Sequence, residues 1–378
     1  MALIEKSGGI GGFVHFMQHQ NSFVNSPRTS LLVPYFIGVA IFIESSITAL
    51  IAGAVGLPLC DKQKVSHAKL AFVCDSTAAP ISSLIVLNGW GALLLGLITT
   101  QIDEGVIDGD SFTLLIDAVL YNFYAMSALL VTFLVIWFNI DIGPMKDAKI
   151  NSSKLKKSYK KANMGYMIIP IILMIVFTFI FLYITGEGDI TKGSGSSSIF
   201  YTMLATLFCM FVYYIPSKNM SIRIYMKTSL IGAKKLFPIA MILLFAFAIG
   251  KVTSELHTGL YLASFASENL SIYFLAGVIF LLSSLIAFST GTSWGTFSIM
   301  IPIAVPMAVA MDANVALAIG AVISGGVFGD HCSPISDTTI ISSMAADCEV
   351  IEHVKTQLPY ALISGMIAFI LFIILSIV

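Results

Sequence analysis

Nine apolar stretches divide the chain, at residues 31–58, 70–98, 111–139, 164–185, 198–215, 236–251, 271–311, 315–343 and 359–378. A helix crosses the hydrocarbon core of a bilayer in about 20 residues. Peptide groups there find no water, so each crossing segment must satisfy its own hydrogen bonds. The composition agrees: 57% of residues are hydrophobic and 11% charged, against about 25% charged in a soluble domain. The expected fold class is an all-α polytopic membrane protein with about nine or ten spans. The run 271–311 is too long for one span and is expected to fold back on itself. The short run 236–251 tilts or is flanked by an interfacial helix.

The linkers orient the chain. Residues 141–161, 216–235 and 61–69 are rich in lysine and arginine, whereas "QIDEGVIDGD" (101–110) is acidic and "GEGDITKGSGSSS" (186–198) carries one lysine. Basic loops stay in the cytoplasm, which puts 61–69, 141–161 and 216–235 inside and the other two outside. The opening "MALIEKSGGIGGF" lacks the basic lead into an apolar core that marks a signal peptide. The formal net charge of −1 offers nothing to a nucleic acid. Cys60, Cys74, Cys209, Cys332 and Cys348 have no metal-ligand spacing and read as small apolar fillers. No cofactor is expected. The lipid bilayer and small cations are the expected partners, and a homodimer is compatible with the sequence.

Two distant stretches resemble each other. "FIESSITALIAGAVGLPL" (42–59) precedes "CDSTAAPISS" (74–83), and "FSTGTSWGTFSIMIPIAVPM" (288–307) precedes "GDHCSPISDTT" (329–339). Glu44 stands fourteen residues before Pro58, as Thr292 does before Pro306. Each arm then reaches an acid and a Pro-Ile-Ser: Asp75 with Pro80, Asp330 with Pro334. The loop assignment runs these arms in opposite directions, giving inverted-topology repeats with discontinuous helices, a plan in which sites lie where helices break. The expected division is an N-terminal remnant or interfacial segment (1–30), a first repeat (31–139), a basic cytoplasmic loop with connecting spans (140–270) and a second repeat (271–378).

Pro80, Pro334 and Gly329 are expected to mark the breaks, since a proline removes a backbone donor. Freed carbonyls and hydroxyls can replace the water around a small hard cation. Ionisable groups within spans are expensive and by default mark a pathway or proton relay. The expected cation- and proton-binding set is therefore Asp330, Asp337, Asp75, Glu44, Thr292, Ser293, Ser76, Thr77, Ser333, Ser336 and Thr338. Sodium is placed at Asp330, Asp337 and Asp75, and His331 is the candidate relay or pH sensor. Structural alternatives stand beside each: Asp330 and Asp337 as helix caps, Glu44 as the cap of a segment starting at Ser45, Thr292 and Ser293 as packing hydroxyls. Gly325 and Gly329 read as a close-packing face, and Trp90 and Trp294 as packing or interface residues. His15, His19, His67, His257 and His353 read as loop residues.

The stretches "GVFGDHCSPISDTTIISSMAADCEVIEHVKTQLPYAL" (326–362), "GTSWGTFSIMIPIAVPMA" (291–308) and "DSTAAPISSL" (75–84) resemble the NhaC-type sodium/proton antiporters, from about residue 30 to the C-terminus. The resemblance implies exchange of Na+ or Li+ for H+ across a bacterial plasma membrane by alternating access, and the family includes exchangers of carboxylates and amino acids. Members often carry paired aspartates where this chain has Glu44-Ser45. They usually have further N-terminal spans, so "MALIEKSGGIGGF" reads like the end of one cut away. The rival within transport is a sodium- or proton-coupled exchanger of an organic anion or amino acid, for which Lys251 is the candidate cationic group. An aspartyl protease of the membrane would need GxGD; Val327-Phe328-Gly329-Asp330 lacks the first glycine, and zinc-protease HExxH is also absent. Broken inverted repeats suit alternating access better than a passive pore.

Overall fold

A computed structural model describes residues 2–19, 26–42, 44–148, 163–188, 195–256, 261, 264 and 271–377. The described residues are helical or in turns. In chain order the helices are α1 (Ala2–Ser7), α2 (Gly9–His19), α3 (Pro27–Ala40), α4 (Ser45–Gln63), α5 (His67–Leu84), α6 (Gly89–Asp103), α7 (Ser111–Leu120), α8 (Phe123–Phe138), α9 (Gly165–Thr185), α10 (Gly195–Tyr214), α11 (Ile222–Glu255), α12 (Leu275–Thr290), α13 (Ser293–Ala310), α14 (Val315–Cys332), α15 (Asp337–Ala345) and α16 (Val350–Leu375).

Among the described residues, six helical stretches are long and apolar enough to cross a membrane: Phe123–Asp147, Gly165–Thr185, Ile272–Thr290, Ser293–Ala310, Val315–Cys332 and Val350–Leu375. A seventh is counted if α5 and α6, bent by 41° at their break, form one span. The protein is thus all-α and polytopic with discontinuous helices, although among the described residues fewer elements reach spanning length than the nine or ten spans expected from the apolar runs. The runs are cut internally. The stretch 31–58 breaks before Glu44, which caps α4, and 111–139 breaks at Tyr121 and Asn122, which caps α8. The polar residue in each run supplies the side-chain oxygen that starts the next helix.

The chain forms two compact units. The first comprises 1–24 and 154–242. In it the Tyr214 hydroxyl donates to the Tyr166 carbonyl, and Asn219 Nδ2 donates to the Ser7 carbonyl at 3.0 Å. The basic stretch expected as a loop at 216–235 is mostly helix here, because α11 begins at Ile222 and carries Arg223, Lys227, Lys234 and Lys235. Lysine and arginine are good helix formers, so charge alone does not make a loop. Most of the basic stretch 141–161 lies outside the described residues.

The second unit comprises 25–153 and 243–378 and contains two arms with one element order. In the first arm, α3 and α4 form an antiparallel hairpin: Cys60 Sγ lies 4.0 Å from the Ser30 carbonyl, and Gly56 backs onto Pro34. The helices α5 and α6 follow. In the second arm α12 and α13 are joined by only Gly291, in the left-handed conformation, and Thr292, the N-cap of α13. The run 271–311 thus folds back on itself. The helices α14 and α15 follow. Each hairpin's returning helix packs against the opposite arm: α4 on α15, and α13 on α6.

The arms are inverted. Ser76 of α5 meets His331 near the end of α14, while Ser83 further along α5 meets Asn122, which also meets Ser324 earlier on α14. The helices α5 and α14 therefore run antiparallel. Gly325 and Gly329 of α14 bring α12 into backbone contact: an added Cβ would lie 2.3 Å from the Phe280 carbonyl oxygen at Gly325 and 2.1 Å from that of Ser284 at Gly329. Trp90 and Trp294 pack edge to face at 6.1 Å. At one end of this unit His67 bonds Asp61 at 2.9 Å and the Asp347 carbonyl at 3.0 Å, and Lys69 pairs with Asp141 at 2.7 Å.

Two expected breaks lie elsewhere. α5 continues through Pro80 to Leu84 and breaks at residues 85–88. A proline strips one hydrogen bond, but packing over a fully buried turn keeps the helix going. The break is completed by Asn88, whose Oδ1 accepts from the Trp90 and Gly91 amides and whose Nδ2 donates to the Phe42 and Ser82 carbonyls. Gly329 lies inside α14, as a contact residue rather than a break. Pro334 does lie at a break, between α14 and α15.

Candidate functional site

Both arms and α16 meet around Asp75. His353 and Gln357 stand one turn apart on α16 and share a face. Asp75 is fully buried (0% exposed). Its Oδ2 accepts from Gln357 Nε2 at 2.8 Å, His353 Nε2 at 3.2 Å and Thr339 Oγ1 at 3.3 Å, and its Oδ1 accepts from Ser342 Oγ at 3.4 Å. Gln357 Nε2 also reaches the His331 carbonyl at 2.6 Å, tying α5, α14 and α16 together. His331 Nε2 lies 3.3 Å from Ser76 Oγ and 3.7 Å from Asp75 Oδ2. Its Nδ1 lies 2.6 Å from Tyr124 Oη of α8. Ser76 Oγ and His331 are 255 residues apart in sequence, so the two similar stretches do converge.

Asp330 has a different environment. Neighbouring residues on a helix point about 100° apart, so Asp330 faces α13 while His331 faces α5 and α8. Asp330 is 2% exposed. Its Oδ2 accepts from Ser293 Oγ at 2.7 Å, and among the described residues its buried Oδ1 has no hydrogen bond of ordinary geometry, with the Ser336 hydroxyl close by. Ser293 is the first residue of α13, directly after the hairpin turn. The carboxylates of Asp337 and Asp75 are within electrostatic range of Asp330.

The remaining candidates lie around these two groups. Glu44 caps α4, its two carboxylate oxygens accepting from the Ser46 and Ile47 amides at 3.0 and 2.8 Å. Thr292 caps α13 through the Gly295 amide at 3.4 Å. Thr77 donates within its own helix to the Val73 carbonyl at 2.8 Å and packs on Gly38. Ser333 Oγ donates to the Phe288 carbonyl at 2.8 Å, fixing the break to α12, while Ser336 and Thr338 hydroxyls meet at 3.1 Å. Asp337 opens α15 and is exposed. It lies within electrostatic range of Glu44. Among the described residues, no three His, Cys, Asp or Glu side chains converge as a metal site.

Sequence reasoning missed Tyr124, His353, Gln357, Thr339 and Ser342. The reading of other histidines as loop residues also changes: His15 and His19 lie in α2, His67 opens α5 and is buried, His353 lies in α16, and His257 is outside the described residues.

The profile of the Na+/H+ antiporter family matches residues 88–377, well over half of the chain. This chain belongs to the Na+/H+ antiporter family. A Haemophilus influenzae protein described as uncharacterized is 34% identical over 385 aligned residues, covering 95% of this chain and 73% of its own length. Shorter matches join it to an uncharacterized Na+/H+ antiporter of Haemophilus influenzae, 39% identical over 23% of this chain and 19% of the relative. They also join it to the malate-2H+/Na+-lactate antiporter of Bacillus subtilis, 34% identical over 27% of this chain and 21% of the relative. The antiporter-family chain is thus a membrane transporter of the secondary, cation- or proton-coupled class and not an enzyme. The buried, oppositely oriented helix breaks described above are the part of the fold suited to that work.

Proposed function

We propose that this antiporter-family protein exchanges Na+ or Li+ for H+ across a bacterial plasma membrane by alternating access, with Asp330 and Ser293 as the cation-holding pair. The carrying observation is the buried Oδ1 of Asp330, which has no hydrogen bond of ordinary geometry among the described residues, beside a hairpin turn and the Ser336 hydroxyl. A small cation or a proton supplies the partner that this oxygen lacks and offsets its negative charge. Asp337, exposed near the same break, is the second acid through which a cation reaches Asp330. Asp75 is left out of the cation set, because both its oxygens are taken by protein donors. Proton and cation compete at Asp330, so apparent sodium affinity weakens as pH falls. Dequenching of a pH dye in everted vesicles, titrated with sodium at several pH values, tests this. A half-saturation that does not move with pH overturns competition at Asp330.

A second reading is exchange of an organic anion or amino acid coupled to sodium or protons. It is favoured by the matches to the malate-2H+/Na+-lactate antiporter of Bacillus subtilis and, at 33% identity over 25% of this chain and 20% of the relative, to the arginine/ornithine antiporter of Halobacterium salinarum. The cationic group suggested for it, Lys251, has its side chain outside the described residues. Proteoliposome flux with a panel of radiolabelled carboxylates and amino acids separates the readings: sodium-for-proton exchange in the absence of any organic substrate supports the first.

A further inference from the structure

His353 lies in the first turns of α16, at the end of the second unit where His67 meets the Asp347 carbonyl. It is 0% exposed. Its Nε2 faces Asp75 Oδ2 at 3.2 Å, and its Nδ1 is buried with no hydrogen-bond partner among the described residues. A carboxylate only accepts hydrogen bonds, so Nε2 carries the imidazole proton and Nδ1 presents a lone pair. Charged and titratable groups face this ring from several elements. From α5, Asp75 faces the ring directly. From α14, His331 lies across that carboxylate, with Tyr124 of α8 behind it. From α15 come the hydroxyls of Thr339 and Ser342, and its first residue, Asp337, lies within electrostatic range of Asp75. On α16 itself Glu349 and Glu352 flank the helix start near Cys348, while Lys355 is exposed. The 3₁₀ turn at Gly143–Asp147 and α12 pack on later turns, against Pro359 and against Phe369 and Ile373.

We infer that His353, paired with Asp75, is a second proton-carrying site, separate from the Asp330 cation site. This rests on the antiport reading above. One proton from water adds to the Nδ1 lone pair, Nε2–H stays on Asp75, and the imidazole–carboxylate pair goes from one negative charge to none. The same proton leaves Nδ1 to water when the site opens to the other side. A net negative charge is costly in the membrane interior, and an imidazolium bonded to the Asp75 carboxylate leaves the pair without one. The proton-loaded protein therefore carries one proton more per cation than Asp330 alone accounts for, which makes exchange sensitive to voltage.

The test uses full-length protein in proteoliposomes, with 22Na+ and a pH dye read under imposed potassium–valinomycin potentials. His353→Gln keeps an amide N–H for Asp75 but has no protonatable lone pair. His353→Lys puts a fixed positive charge beside Asp75. The expected result is sodium–proton exchange in both variants with the proton-to-cation ratio lowered by one and the voltage sensitivity lost. An unchanged ratio in either inserted variant overturns the inference, and so does loss of all exchange in both. Absence of sodium-driven proton movement in the wild type instead defeats the antiport reading, and this inference with it. Nitrogen-15 NMR of histidine-labelled protein reads the ring directly: the imidazole signal that His353→Gln removes should gain a second proton within the pH range of transport, and that signal staying neutral there overturns the inference.

Discussion

Two buried aspartates in this chain differ in one respect that matters: how many protein donors they already hold. Among the described residues Asp75 holds four hydrogen bonds and Asp330 one, with Oδ1 of Asp330 left without a bond of ordinary geometry. The change to asparagine should therefore act differently at each. In Asp75→Asn, an amide NH2 replaces an oxygen that faces donors from Gln357 or Ser342, leaving buried groups unsatisfied. The expected cost is about 1–3 kcal/mol, read as a lower unfolding midpoint in detergent. Asp330→Asn keeps the Ser293 bond on its amide oxygen and should insert and unfold like the wild type while losing exchange. Equal destabilisation in the two would remove the distinction. The sequence made the acids legible, because a carboxylate in an apolar run is conspicuous. It did not reveal His353 and Gln357. They sit in the polar run "DCEVIEHVKTQ", which reads as a loop until α16 is seen to begin at Val350 and to turn both residues toward α5. Tyr124 was hidden for another reason: within "NFYAMSALLVTF" an aromatic is ordinary packing, and only the approach of α14 makes its hydroxyl a partner.

The arrangement of elements depends on close backbone approach. α12 and α14 touch through Gly325 and Gly329, and at Gly329 the nearest atoms to an added Cβ are backbone, the Ser284 carbonyl oxygen at 2.1 Å and the Phe288 nitrogen at 2.7 Å. Backbone cannot swing aside as a long side chain can, so Gly329→Ala should separate the helices and shift Asp330 one residue away. We expect about 1–3 kcal/mol of destabilisation, the usual scale of overpacking, together with weaker sodium dependence in the dye assay. Gly96→Ala serves as the control, since an added Cβ there meets nothing within 4 Å, and helix propensity favours alanine by about 1 kcal/mol. Elements were legible where a pattern is local. The paired glycines, the return of 271–311 and the matched positions of Glu44 and Thr292, both N-caps of returning helices, follow from short-range sequence. The break in the first arm was not. Pro80 drew attention, yet Asn88 terminates the gap, and its bonds to Phe42 and Ser82 carbonyls depend on the hairpin lying beside it.

For the whole molecule, sidedness remains a proposal, and accessibility is the measurement that checks it. Lys62 and Glu104 are exposed and lie on opposite sides of the α5–α6 pair in sequence. Single cysteines replacing them, in a background without the native five, should react with a membrane-impermeant maleimide from opposite faces, Lys62→Cys only from the cytoplasm. Labelling of both from one face would undo the orientation drawn from the basic loops. The joining of Asp330 and His331 at consecutive positions of α14 has a further consequence. One residue's step turns the first toward Ser293 and the second toward Ser76 and Tyr124, so any twist of the last turn of α14 would disturb both sets of bonds together, like a crank. With sodium at Asp330 and a proton at His353, linkage requires the effect to be mutual: whatever factor bound sodium takes from the proton's affinity, the bound proton takes from sodium's.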